Sequence, residues 1–136
     1  MEVKVEGSRR NKKFVEALLP SMLSQLKLEN SRKALLVRIA DECEDNSGVT
    51  LDLTEITGCY LVVIKPHRYL KEIGMTLAHE LVHVKQMAKG VLKNGPRGSN
   101  YWAGKRYGKN TKYLDRPWEI EAFSKQELIL RRAIEE

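Results

Sequence analysis

TLAHELVHVKQ, residues 76–86, combines a helical apolar pattern with three side chains that can bind and activate a metal-bound water. His79 and His83 are four residues apart, so on a helix both imidazoles lie on one face and can reach the same ion. Glu80 lies about 100° from His79 around the helix, where its carboxylate can reach a water molecule without taking a coordination position. The stretch therefore predicts a helix with two metal ligands and a general base.

Apolar side chains surround this motif on the predicted helix, which covers about residues 69–89 and ends before Gly90, a residue common just beyond helix C-termini. One row along the helix is apolar and contains Ile73, Leu77, Leu81, Val84 and Ala88. An adjacent row has small side chains, Gly74, Ala78 and Val82. Burying histidines and a glutamate among such residues costs free energy unless partners satisfy them. A metal ion would satisfy them, and a structural helix with two hydrogen-bonded or exposed histidines is the alternative.

The third ligand of a catalytic zinc site, which keeps one position open, is predicted to be a carboxylate because no histidine follows His83. The sequence PWEIEAF, residues 117–123, offers Glu119 and Glu121 on a second predicted helix. At about 100° per residue, Glu119 shares its face with apolar residues further along this helix. Glu121 lies nearly opposite, where Lys125 is an i+4 ion-pair partner. We predict Glu119 as the ligand, with Glu121 as the alternative.

The order of the remaining elements predicts the α+β class. Periodicity and turn residues indicate helices at about 11–28, 69–89 and 115–136, and strands at 34–40, 49–55 and 59–65. Because strands come early and the two motif-bearing helices late, we expect a small, mainly antiparallel sheet packed on an N-terminal, a central and a C-terminal helix. At 136 residues the chain is predicted to form one domain, residues 1–136, with a basic loop insertion at about 90–114.

The basic charge is concentrated in residues 90–114, which contain six Lys or Arg residues and no acid, while the whole chain has a net charge of +6. Aromatic residues are interleaved with these bases. Such a segment could contact nucleic acid or an acidic protein. A solvated basic loop is the alternative.

The composition favours a cytoplasmic protein. No apolar run approaches the roughly 18 residues of a membrane span, and the first residues lack the apolar region of a signal peptide. Cys43 and Cys59 form no CxxC pair and are expected to be reduced thiols. We expect no membrane contact and a monomer.

HELVH followed by a helix with WEIEA resembles the zincin metallopeptidases whose third zinc ligand is a downstream glutamate. Within them the chain is similar to small phage and bacterial domains near the SprT-like and ImmA/IrrE-like groups, over about residues 59–130. Two features depart from these groups: Phe123 stands where Asp or Asn often follows the ligand glutamate, and the third histidine of SprT-like proteins is missing. The resemblance implies a minimal zincin-like fold and a zinc ion as cofactor.

The resemblance also implies a hydrolase that cleaves a protein or peptide substrate. Zinc on His79, His83 and Glu119 would lower the pKa of a bound water, and Glu80 would take the water's proton and return it to the leaving amine. The tetrahedral intermediate needs a further hydrogen-bond donor. Four residues are candidates that the sequence does not rank: His67, Tyr101, Tyr107 and Tyr113.

Substrate binding in zincins uses an edge strand before the motif helix, and CYLVVIK, residues 59–65, occupies the corresponding place in this sequence. Its free backbone edge would bind an extended peptide by strand addition. Its nearly continuous apolar sequence equally fits a central buried strand.

The alternative function is a non-catalytic, zinc-containing nucleic-acid-binding module that uses the basic 90–114 segment. Glu80 argues against this alternative, because a structural zinc site has no use for a base and usually closes with four protein ligands. A metal-free assembly protein is a third hypothesis.

Overall fold

The fold is given by a computed structural model, which describes residues 1–44 and 46–135. Its elements in chain order are β1 (Glu2–Glu6), α1 (Arg9–Gln25), β2 (Ala34–Ile39), β3 (Gly48–Leu53), α2 (Thr54–Thr57), β4 (Cys59–Ile64), α3 (Leu70–Ala88), β5 (Leu92–Asn94), β6 (Asn100–Trp102), β7 (Lys105–Tyr107) and α4 (Pro117–Glu135). The predicted α+β class is confirmed. The predicted end of the last helix at Glu136 lies outside the described residues. In the described part of the chain, no helix has the length and apolarity needed to cross a membrane.

The main sheet has four strands in the order β1-β2-β4-β3. β1 pairs with β2 and β2 with β4 in parallel, and β3 pairs with β4 antiparallel. The prediction of a mainly antiparallel sheet is therefore wrong for this sheet, which is mixed. Two features that the sequence pattern did not predict cause this: β1 is present, and β4 lies between β2 and β3, parallel to β2. Because α1 joins β1 to β2, it forms the crossover that parallel neighbours require.

One face of this sheet is buried against the helices. Side chains alternate between the two faces along a strand, and the register pairs buried residues of β2 with buried residues of β4: Leu35 with Tyr60, Val37 with Val62, and Ile39 with Ile64. The helical side of the same core includes Val15 and Met22 of α1 and Leu77, Leu81 and Val84 of α3. This layer holds α3, and hence the histidine motif, against the sheet.

The three long helices approach closely where small residues face their neighbours. A Cβ atom on Gly74 of α3 would lie 2.7 Å from Leu130 Cδ1 and 3.3 Å from Phe14 Cε2. Ala122 of α4 is fully buried and belongs to the same core. Small side chains at these positions let α4 pack on α3 closely enough for a side chain of α4 to reach the histidines.

The strand at Cys59–Ile64 is central, since β4 has β2 on one side and β3 on the other. The prediction of a free edge at CYLVVIK is therefore wrong, and the competing expectation of a central strand is correct. Four of its six residues are buried, Tyr60, Val62, Val63 and Ile64. Such apolar burial suits a strand between two neighbours. Among the described residues, the edge strand on this side of the sheet is β3.

Residues 90–114 contain a second, three-stranded sheet rather than only a loop, with the order β5-β6-β7 and antiparallel pairing. The turn between β6 and β7 consists of Ala103 and Gly104, whose φ angles are 51° and 84°. Two successive residues with positive φ suit a tight hairpin turn. Each strand has only three residues, too few for a clear alternating pattern in the sequence.

The two cysteines are free, as predicted from their spacing. Cys43 is buried and its Sγ lies 3.6 Å from the carbonyl oxygen of Val63. Burial raises the pKa of the Cys43 thiol, and the negative charge of Glu80 raises it further.

Candidate metal centre

The histidine motif lies in the buried middle of α3. His79, Glu80 and His83 are 8%, 5% and 6% exposed. The imidazole centroids of the two histidines are 4.9 Å apart with the rings nearly perpendicular. One ligand atom from each of the three residues lies within 4.8 Å of the others. The helical spacing therefore brings three polar groups to one buried point.

Glu119, in the first turn of α4, faces both histidines. Its Oε1 atom lies 2.8 Å from His79 Nε2 and 3.0 Å from His83 Nε2. Glu121, the alternative ligand, points elsewhere: one carboxylate oxygen lies 3.7 Å from Lys125 Nζ and the other accepts from Gln86. The structure thus brings Glu119, and not Glu121, to the two imidazoles.

Gln86 determines which nitrogen of His83 bears a proton. Its Nε2 donates to the carbonyl oxygen of Trp118 at 3.0 Å and to Glu121 Oε1 at 3.1 Å. The amide oxygen of Gln86 therefore faces His83 Nδ1, at 2.8 Å. Because an amide oxygen only accepts, Nδ1 is the donor. In the neutral ring, the lone pair of His83 Nε2 then points at Glu119.

Gln126 of α4 makes the equivalent contact with His79, since its Oε1 accepts from His79 Nδ1 at 2.7 Å. The sequence prediction missed both glutamines, although each lies on a face that the helical period identifies. Phe123, at the position where Asp or Asn was noted as common, packs its ring edge-on against His79 with centroids 4.7 Å apart. The glutamines supply the acceptors that Phe123 cannot.

If both histidines were neutral with Nδ1 protonated, two nitrogen lone pairs would each lie within 3.0 Å of the same carboxylate oxygen. Such a cluster requires a cation, either added protons or a metal ion. Although burial alone would raise the pKa of Glu119, hydrogen bonds from both histidines lower it to about 2. Burial opposes protonation of His83, but its hydrogen bond to Glu119 and the charge of Glu80 outweigh burial and raise its pKa.

The donor set fits zinc. Two imidazole nitrogens and one carboxylate oxygen form a common catalytic zinc set, and ligand atoms at 2.0–2.1 Å in a tetrahedral site lie about 3.3 Å apart. The separations of 2.8 and 3.0 Å therefore need to open only slightly. Glu119 and the motif residues of α3 line a cavity of about 230 Å³, which leaves room for a fourth, non-protein ligand.

Thr50 of β3 positions the carboxylate of Glu80. Its hydroxyl lies 2.8 Å from Glu80 Oε1 and 3.1 Å from the main-chain oxygen of the same residue. Burial raises the pKa of Glu80, although the charge of His83 and the hydrogen bond from Thr50 act against that rise. Gly48 lets β3 come this close, because a Cβ there would lie 3.1 Å from Glu80 Cγ.

Tyr113 is the one of the four candidate donors that lies at the cluster. It lines the same cavity as His79 and Glu80. Burial raises the pKa of its phenol, and the charge of Glu119 and a hydrogen bond with that carboxylate raise it further. The other three candidates lie elsewhere: His67 Nδ1 accepts from the backbone of Tyr69, Tyr107 packs edge-on against Trp118, and Tyr101 belongs to β6.

Comparison of the chain with protein-family models, curated proteins and solved structures found no significant match. The function is therefore inferred from the site itself.

Proposed function

We propose that the protein is a zinc-dependent metallopeptidase of the zincin type. The observation that supports this most strongly is Glu119 Oε1, within 3.0 Å of Nε2 of both His79 and His83. Gln86 and Gln126 hold the opposite nitrogens of these rings as donors. The buried group can therefore present two imidazole nitrogens and one carboxylate oxygen to a single metal ion. A structural helix with two hydrogen-bonded histidines would not need a carboxylate between them.

Zinc bound by His79, His83 and Glu119 would supply a Lewis acid and a water of lowered pKa. The Glu80 carboxylate lies beside these ligands and is hydrogen-bonded to Thr50 rather than to them. It would accept the proton of the water that attacks the peptide carbonyl and return it to the amine as the C–N bond breaks. Thr50 holds the Glu80 carboxylate at 2.8 Å.

Tyr113 is assigned as the donor to the oxyanion of the tetrahedral intermediate. A phenol with a raised pKa stays protonated at neutral pH and can donate a hydrogen bond. Its position in the cavity with His79 and Glu80 favours it over the other three candidates.

The substrate is a protein or peptide bound in extended form along β3. β3 is an edge strand, its residue Thr50 contacts Glu80, and Gly48 lies against Thr76 and Glu80 of α3. A peptide that pairs with this edge would pass beside the proposed base. This replaces the sequence-based assignment of substrate binding to the central strand β4.

Zinc content tests the ligand set. Zinc per chain is measured by mass spectrometry after dialysis for the wild type and for His83→Ala, Glu119→Ala and Glu121→Ala. We expect about one zinc per chain in the wild type and in Glu121→Ala, and a sharp loss in the other two variants, because three ligands are the usual minimum for a catalytic site. Undiminished zinc in Glu119→Ala would exclude Glu119 as a ligand.

Peptide cleavage tests the catalytic assignment. A peptide library is incubated with the zinc-loaded wild type and with Glu80→Gln, which keeps the size of the side chain but removes the base. We expect cleavage by the wild type only. Equal cleavage by both would refute the assigned role of Glu80, and zinc binding without cleavage by either would favour a non-catalytic site.

A further inference from the structure

A cavity separate from the metal centre is lined by four lysines. It has a volume of about 350 Å³, within the range of about 300–1,000 Å³ for small-molecule sites. None of the proposed zinc ligands lines it. The four are Lys27, Lys85, Lys89 and Lys125, and we call this the lysine cavity.

The positive charge around the lysine cavity is only partly neutralised. Glu121 is the one acidic residue in its lining, and it pairs with Lys125 at 3.7 Å. Within the described parts of the chain, no carboxylate lies within ion-pair distance of the other three lysines. Four lysines against one glutamate leave three positive charges facing one cavity, which attracts anions.

The lysines lie on, or directly beyond the ends of, three separate helices. Lys85 and Lys89 lie one turn apart at the end of α3, where cations also interact favourably with the helix dipole. That explanation does not extend to Lys27, which follows α1, or to Lys125, which lies in the middle of α4. The packing of α1, α3 and α4 therefore gathers charges that are far apart in sequence.

Trp102 is the one aromatic residue in the lining of the lysine cavity. The residue is half-buried in β6 and paired with Lys105 of β7, so the small sheet fixes its backbone. Indole faces stack with nucleobases without sequence preference. The six bases predicted to bind nucleic acid are not in the lining, and the 90–114 segment contributes only Val91 and Trp102.

We propose that the lysine cavity binds a nucleotide, with its phosphate at the lysines and its base on Trp102. The ligand is either a free mononucleotide or one unit of a single-stranded nucleic acid, because both present the same phosphate and base. An acidic peptide would also meet the lysines but has no planar group for Trp102. This proposal does not rest on the metallopeptidase assignment, since no zinc ligand or catalytic residue lines the cavity; the two sites share Gln86, which also contacts His83.

The test measures binding of a fluorescein-labelled ten-nucleotide oligo(dT) by anisotropy, with competition by AMP, by inorganic phosphate and by a poly-glutamate peptide. The double variant Lys85→Ala/Lys89→Ala removes two charges from the cavity. Its matched control, Lys12→Ala/Lys13→Ala, removes two exposed charges from α1, outside the cavity. Trp102→Leu removes the aromatic residue.

We expect the lysine variant to bind oligo(dT) at least tenfold more weakly. The slope of log K against log salt concentration should become shallower by about 1.4, which is about 0.7 for each of the two lost phosphate contacts. Trp102→Leu should weaken binding by roughly five- to 150-fold, while the α1 control stays within about twofold of the wild type. Competition by AMP would identify a free nucleotide, and competition only by unlabelled oligonucleotide would identify a strand.

Three results would overturn the proposal. Equal losses in the α1 control would show that net charge, and not the cavity, holds the oligonucleotide. Poly-glutamate competing as well as oligo(dT), with no effect of Trp102→Leu, would assign the cavity to acidic polypeptides. Absence of oligo(dT) binding by the wild type, together with no binding of AMP in a direct calorimetric titration, would exclude a nucleotide site.

Discussion

Replacing Gln86 with leucine should weaken zinc binding without unfolding the protein. Gln86 is 2% exposed and makes three hydrogen bonds, to His83, to the Trp118 carbonyl and to Glu121. Leucine keeps a similar volume but makes none of them. At about 1 kcal/mol for each bond, the free energy of unfolding of the metal-free protein should fall by about 3 kcal/mol. That is less than the roughly 5–15 kcal/mol that typically stabilises a domain, so the variant should stay folded.

The effect on zinc follows from the orientation of His83. Without the acceptor on its Nδ1, the ring of His83 can rotate or change tautomer, and Nε2 is no longer held toward Glu119. Losing such an outer contact typically lowers metal affinity by about 10- to 100-fold. Competition with a chromophoric zinc chelator at neutral pH measures the affinity, and urea unfolding in EDTA measures the stability.

Gln25 provides the matched control. Its Nε2 donates to Ser21 Oγ at 3.1 Å and to the Ile129 carbonyl at 3.0 Å, so Gln25→Leu also removes part-buried hydrogen bonds of a glutamine. Gln25 makes no hydrogen bond to either histidine, so the zinc affinity of Gln25→Leu should equal that of the wild type. Zinc affinity unchanged in a folded Gln86→Leu, or reduced equally in Gln25→Leu, would refute the orienting role of Gln86.

Three further predictions concern the site. In the metal-free protein, Glu119 has a pKa of about 2 against 4.5 when unperturbed, so its contribution to stability is present above about pH 4.5 and is lost as pH falls toward 2. The pKa of His83 is raised above 6.5, so its contribution is full below pH 6.5 and is lost as pH rises through the folded pKa. Urea unfolding in EDTA measures the free energy of unfolding of the wild type and of Glu119→Gln. The difference between the two proteins should be largest from about pH 4.5 to pH 6.5, and a difference that does not change with pH would contradict this. Tyr113→Phe should lower kcat for peptide cleavage by about 100-fold with zinc content unchanged; an unchanged kcat would remove Tyr113 from the mechanism. Gly48→Ala adds a Cβ that would lie 2.7 Å from Thr76 Cγ2 and 3.1 Å from Glu80 Cγ, so cleavage should fall by about tenfold or more while zinc stays bound; full activity would show that β3 can move without displacing Glu80.

The positions of the motif residues on their helices could be predicted because helical geometry is local. His79 and His83 share a face of any regular helix, and the same period separates Glu119 from Glu121 on α4. The three long helices and the three longer strands were predicted to within a few residues, since their apolar patterns extend over several residues. The four-residue helix α2 was not predicted, and its first two residues had been assigned to the strand at 49–55. β1 and the strands of the second sheet are too short, at three to five residues each, for such a pattern.

The contacts that orient and activate the cluster could not be predicted from local patterns. Thr50 reaches Glu80 from 30 residues away, and Gln86 reaches Trp118 from 32 residues away. Whether β3 or β4 forms the edge of the sheet depends on which strands pair. Only Tyr113 among the four candidate donors lies at the cluster, because of how its segment folds back on α4.

Local periodicity therefore determined the two histidines, the adjacent glutamate and the face of α4 on which Glu119 lies. Packing of α4 on α3 then decided that Glu119 lies within 3.0 Å of both imidazoles and that two glutamines orient them. The difference has a physical cause: a residue's face on a helix follows from backbone hydrogen bonds within a few residues, whereas the meeting of two helices depends on side chains that are distant in sequence and bury each other.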